Sequence, residues 1–316
     1  MGTEDGDALR PQLEEHTLLS LPLSSTELVN ASLHDYRNLV AKAMAYYATS
    51  QEEWYGYLPP FPKVDIEATS EETIFRYRTT KADPPSSEVK IPRTEEKTLF
   101  ISELKKSLSW LRDQLIAFYH QTGDPAVRIL YTLAIFLNDA SLALLAPNDV
   151  PFSPHPMPED FNPYQLAAQI CQVNIESCPL EAIPYDFRLV AIFFNLINNA
   201  TRKAREAGAA SEEVTVSFQR QGESLIVSIT NPARVTESQK QDLTSGKVFA
   251  LGTTDQKGSA HGYGLAISQL LARQLGSEIT IQVKEVEEAT HANSLVTFTL
   301  IVPLDLLQDA RLHSDA

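Results

Sequence analysis

Apolar positions Val29, Leu33, Tyr36, Val40, Ala43 and Tyr47 recur four and three residues apart, the spacing of a helical seam that packs against other helices. The run SSTE just before them is a capping signature, so a helix is expected from there to about residue 50. Residues 1–24 are polar, acidic and without sustained periodicity, and read as a disordered tail. Pro59, Pro60, Pro62, Pro84, Pro85 and Pro92 punctuate residues 55–93. That part reads as a long connection with room for one short strand in TIFRYR. Helical periodicity resumes over about 95–121 and breaks at Gly123. It restarts with Asp124 as N-cap and Pro125 in the first turn. A proline-rich hinge over about 146–163 ends the helical part, and a domain boundary is expected there.

Beyond the hinge the pattern mixes two periods. EVTVSF and SLIVSI alternate apolar and polar residues around the turn RQGE, and EITIQV and LVTFTLIV repeat the alternation near the C-terminus. Between them lie a helix through FRLVAIFFNLINNATRKAREAG, with Gly208 as C-cap, and a second through GYGLAISQLLARQLG. Helices on one face of a mostly antiparallel sheet make an α/β sandwich.

The chain has 316 residues, enough for two domains that each bury a core. Its 26 Lys and Arg against 41 Asp and Glu leave a formal charge of -15, which argues against a nucleic-acid binder and suits a cytoplasmic protein. The two cysteines, Cys171 and Cys178, lack further ligands nearby and read as bystander thiols. The N-terminus has no apolar core of a signal peptide. ILYTLAIFLNDASLALLA is interrupted by Asn138 and Asp139 and reads as too short to cross a bilayer. No membrane span is expected, so an extracellular signal would need a separate sensor protein.

Chemistry concentrates in two places of the second half. On the helix from about 186 to 207, Leu189, Ile192, Phe193, Leu196, Ile197 and Ala200 form the face expected to meet the sheet. Asn195, Asn199 and Arg202 form a separate stripe, able to offer oxygens to a hydrated magnesium ion and a cation to phosphate. In FALGTTDQKGSAHGYGLAISQLLA, hydroxyls and a lysine lead through glycines into a helix. Its N-terminus would present unpaired N–H groups to phosphate.

FNLINNATRKA resembles the N-box, and HGYGL after GTTDQK resembles the second glycine box, of the ATP-binding domain of sensor histidine kinases and their Bergerat-fold relatives. The similarity covers about residues 159–303. It implies an ATP site with Mg²⁺ on Asn199, supported by Asn195, and with Arg202 or Lys203 on phosphate. Thr253, Thr254, Lys257, His261, Gly262, Gly264 and Leu265 would complete the nucleotide site, under a lid of about residues 233–260. The first glycine box departs from the family pattern. Asn231 stands where an aspartate reads the adenine amino group, and Pro232 and Ala233 replace the glycine-bearing turn. An Asn carbonyl accepts the same hydrogen bond without the strength a carboxylate gives. Some histidine kinases of the peptide-quorum type are similar in having Asn there. The second box has Ala260 where glycine is common.

HDYRN, beginning at His34, resembles the H-box on the first helix of the kinase dimerisation bundle. His34 lies about 100° from Leu33, off the seam. The resemblance makes His34 the phosphoacceptor, with Asp35 orienting its ring and Asn38 placed for the reverse reaction. The expected architecture is α+β. It has a tail over 1–24, a helical dimerisation and phosphotransfer bundle over 25–147 with an insertion at about 51–94, an ATP-binding Bergerat-fold sandwich over 155–305, and a tail over 306–316. The expected function is a cytoplasmic, homodimeric histidine kinase using ATP and Mg²⁺, with a response-regulator receiver domain as partner. The alternative is a phosphotransferase or pseudokinase scaffold that has lost ATP binding. An ATPase of another Bergerat branch, with HDYRN a coincidence, is the third reading.

Overall fold

The computed structural model describes residues 61–79, 84–92, 97–145, 157–159, 161–176, 182–250, 264–289 and 292–313. The tail expected over 1–24 and the helix expected to bear His34, Asp35 and Asn38 lie outside the described residues. The chain divides between Pro158 and Glu159 into two compact units.

In the first unit the segment read as a connection is an antiparallel sheet of three strands, β1 (Lys63–Ala68), β2 (Glu72–Arg78) and β3 (Ser87–Pro92). Its prolines obscure the alternation without opposing it. Pro62 precedes β1, Pro84 and Pro85 fall between strands, and Pro92 ends an outer strand, all places where a missing N–H costs no ladder bond. One face carries paired charges, with Arg76 Nε 2.7 Å from Glu88 and Arg78 Nε 2.8 Å from Asp65. The other presents Val64, Phe75 and Tyr77 to helix α1 (Lys97–Gln121). Along α1, Phe100, Leu104, Leu108, Leu111, Leu115 and Tyr119 are buried at helical spacing. The Tyr77 hydroxyl donates to Glu103 at 2.6 Å and lies 2.8 Å from Ser107 Oγ, tying sheet to helix. Burial and the Glu103 carboxylate push that hydroxyl well above the ordinary tyrosine range.

Helix α2 (Pro125–Leu145) begins as its sequence suggests, with Asp124 Oδ1 accepting from Ala126 N at 2.9 Å. Every residue from Leu130 to Leu145 is buried. At 21 residues α2 is long and apolar enough to cross a membrane, so the expectation that the segment is too short fails. Its burial within the unit marks it as a core helix. Asp139, in its middle, lies with its carboxylate 2.8 Å from Arg112 Nε of α1. Shifting one helix along the other would leave both groups buried and unmatched.

Burial drives the Asp139 carboxyl up to about 7, against the pull of Arg112. Because the folded state then holds its proton more tightly than the unfolded chain, this contribution to stability is complete below about pH 4 and is lost as pH rises through 7. The urea midpoint of the wild type, followed by tryptophan fluorescence, is therefore expected to fall between pH 5 and 8 relative to that of Asp139→Asn. Parallel pH profiles would show that Asp139 does not titrate in this range.

The second unit is a sandwich of a five-stranded sheet and helices. Its order is β4 (Asn174–Glu176), β5 (Thr215–Gln221), β6 (Ser224–Ala233), β8 (Ala292–Pro303) and β7 (Ile279–Ala289). Only the β4–β5 pair is parallel. Helices α3 (Pro163–Cys171), α4 (Phe187–Ala207) and α6 (Gly264–Gln274) bury the apolar sheet face, while the short α5 (Glu237–Thr244) buries none of its residues. The strand β4 and the helix α3, opened by an Asn162 cap, add to the elements the pattern revealed. Tyr164, Phe193 and Phe218 join α3, α4 and β5 through ring contacts of 5.3 to 5.5 Å. Such pairs add about 0.5–1.5 kcal/mol each to the burial of the rings.

The C-terminal stretch read as a tail is instead hydrogen-bonded as far as Arg311. Gln308 N donates to Asp186 at 2.9 Å, Arg188 to Leu306 O at 3.0 Å, and Arg311 to Ile183 O at 3.0 Å. The Arg311 guanidinium also stacks 4.1 Å over the Tyr185 ring.

Candidate nucleotide site

Helix α4 carries the first part of the site. Asp186 caps it by accepting from Arg188 N at 2.8 Å, and Gly208, at φ 88°, closes it in the left-handed conformation that favours glycine. Leu189, Ile192, Phe193, Leu196, Ile197 and Ala200 are all buried, as their spacing requires. The polar stripe emerges gradually from that face. Asn195 is 7% exposed, Asn199 is half-buried, and Arg202 is exposed one turn further on.

The outer end of the stripe is a hydrogen-bonded chain. Arg202 Nη2 donates to Asn199 Oδ1 at 2.9 Å, and Arg202 Nη1 to Glu206 at 2.6 Å. Lys203 Nζ lies 3.0 Å from the other Glu206 oxygen. Partial burial pushes the Glu206 carboxyl up, but Lys203 and Arg202 outweigh it and hold the group below its ordinary value. Glu206 did not emerge from the sequence as a site residue, although its position four residues after Arg202 is the signal that could have found it.

Helix α6 brings the second part alongside. A Cβ placed on Gly264 would come 3.8 Å from Asn195 Oδ1, so the first turn of α6 abuts the buried end of the stripe. Gly264 and Leu265 are half-buried there. Thr253, Thr254, Lys257, His261 and Gly262 lie outside the described residues, as does the end of the expected lid. The described part of the segment expected to be a lid holds α5, whose Thr236 and Gln239 form a reciprocal capping box.

Asn231 occupies a different local structure from the one the sequence suggests. Strand β6 does not stop before it but continues through Asn231, Pro232 and Ala233, paired with Val296, Leu295 and Ser294. Pro232 is tolerated because β5 pairs with β6 only as far as Thr230, so these residues have strand neighbours on one side alone. The Asn293 side chain then accepts from Val235 N at 2.9 Å and donates to Val235 O at 3.0 Å, extending the ladder past its last strand residue.

The Asn231 side chain is 2% exposed, and its Nδ2 donates to Pro232 O at 3.0 Å. Flipping the amide would set two acceptors against each other, so Oδ1 is left as the acceptor. No described residue donates to that oxygen. An acceptor of this kind complements an exocyclic amino group.

The donor set fits nucleotide and metal. A carboxamide oxygen on Asn199 suits a hard cation that keeps most of its waters and takes the rest of its ligands from phosphate. Arg202 and Lys203 carry positive charge of the kind a phosphate group would require.

Residues 186–306 match the family described as histidine kinase-, DNA gyrase B-, and HSP90-like ATPase. No curated protein matches the chain. Among solved structures, the nucleotide-free catalytic domain of histidine kinase ThkA is similar at 16% identity, with 44% of this chain and 84% of that chain covered and a TM-score of 0.30. A mycobacterial sensor histidine kinase, MprB, is similar at 14% identity, with 45% and 89% covered and a TM-score of 0.32. The matched segment runs from the Asp186 cap of the asparagine helix to the end of the sheet, so residues 186–306 are similar to the ATPase domains of that family.

Proposed function

We propose that the protein is a cytoplasmic, homodimeric histidine kinase of a two-component system. The ATP-binding domain would deliver the γ-phosphoryl group to His34, with Asp35 orienting the imidazole and Asn38 serving the reverse reaction. A receiver-domain aspartate on a response regulator would then take the phosphoryl group. The observation that supports this most is the column of Asn195, Asn199, Arg202 and Lys203 on the capped helix that opens the ATPase segment. Asn199 would hold Mg²⁺, whose contribution when bound is to neutralise phosphate charge. Arg202 and Lys203 would take the phosphate oxygens, and Asn231 Oδ1 the adenine amino group. Phosphoryl transfer asks the protein mainly for positioning and charge, which these groups supply.

A second reading has its own support. The sheet runs through Asn231–Ala233 where the family has a glycine-bearing turn, which favours a histidine phosphotransferase scaffold that no longer binds nucleotide.

Calorimetric titration with Mg-ATP separates the two. A kinase shows binding by the wild type, tightened by about 1 kcal/mol in Asn231→Asp through a charge-assisted bond. The same substitution sets a carboxylate against Pro232 O and is expected to lower the melting temperature of the domain. Absence of heat with both proteins would replace the kinase reading by the phosphotransferase one.

A further inference from the structure

We propose that Glu206 is a positioning residue that parks the Arg202 guanidinium over Asn199 in the nucleotide-free domain, so that nucleotide and metal must take Asn199 from a cation of the protein's own. The inference rests on the nucleotide site proposed above. Its basis is that one guanidinium spans two acceptors. Nη2 covers Asn199 Oδ1 at 2.9 Å, and Nη1 is held by Glu206 at 2.6 Å. The oxygen best placed to ligate a metal is therefore already engaged by a positive group. The second Glu206 oxygen lies 3.0 Å from Lys203 Nζ, so the same carboxylate also holds the other cation assigned to phosphate.

Binding then becomes an exchange. For a phosphate chain with its metal to be held here, Arg202 would have to leave Asn199 Oδ1 for a phosphate oxygen, which would free the carboxamide oxygen to hold the metal. Glu206 opposes that exchange because it stabilises the parked position. Its role differs from that of an ordinary surface ion pair, which would leave ligand affinity unchanged. It differs also from a residue that aims the cations at phosphate, whose loss would weaken binding. Residues Arg202 and Glu206 are both about 40% exposed, at 43% and 41%, so solvent screens the pair and the effect is modest.

The test is the affinity for ADP with Mg²⁺, measured by calorimetry on the full chain with Glu206→Gln and Glu206→Asp. Glu206→Gln is expected to tighten ADP about two- to fivefold, the size set by exposed ion pairs. Glu206→Asp, which keeps the charge, is expected to stay nearer the wild type. An independent readout needs no nucleotide. The NMR signal of the Asn199 side-chain amide in the unliganded protein shifts in Glu206→Gln, because Arg202 leaves its oxygen. Unchanged or weakened ADP binding in Glu206→Gln overturns the parking role alone, and so does an unmoved Asn199 signal. Absence of ADP binding by the wild type overturns both the parking role and the nucleotide site.

Discussion

Asn199→Ala is expected to abolish phosphorylation driven by Mg-ATP while leaving the domain folded. Alanine is the best helix former, and Asn199 is only half-buried, so little packing is lost. What disappears is the carboxamide oxygen proposed to ligate the metal. Without it the triphosphate reaches the site with its charge poorly held, and removal of an electrostatic stabiliser of this kind costs about 10²–10³-fold in rate. Incubation with γ-labelled ATP checks the expectation, with circular dichroism confirming the helix. Undiminished labelling would mean that Asn199 is not the metal-holding residue.

His34→Ala is expected to eliminate acid-labile, alkali-stable label altogether. A phosphoryl group on imidazole nitrogen has no substitute on an alanine methyl, so the loss is complete rather than graded. The sequence places His34 off the apolar seam of its helix, so no cavity opens and the fold should survive. Phosphate analysis after incubation either with Mg-ATP or with a phosphorylated receiver domain checks both directions of transfer. Full labelling of the variant at another residue would remove His34 from the mechanism.

The parts of the molecule that were legible in the sequence are those where one physical rule acts alone. Helix α4 shows its buried face by period and its end by Gly208, and the asparagine stripe follows from the same period. The Asp124 cap of α2 was readable for the same reason. The first sheet was obscured because proline density suggests irregular chain, while the alternation in KVDIEA and SEVKIP runs beneath it. The extension of β6 through Pro232 depends on where β5 ends, a tertiary fact that no local pattern contains. The bond from Asn231 to Pro232 O follows from that extension, and so does the fixed orientation of the amide.

The contacts made by Leu306, Gln308 and Arg311 tie the chain after the last strand to Asp186, Arg188 and Ile183, where the family-matched segment begins. The stretch beyond the last strand is thereby anchored to the capped start of the asparagine helix. Cutting the chain after Pro303 would strip the buried Asp186 carboxylate of its bond from Gln308 N and Arg188 of its bond to Leu306 O, so shortening the C-terminus loosens the start of the helix on which the site is built.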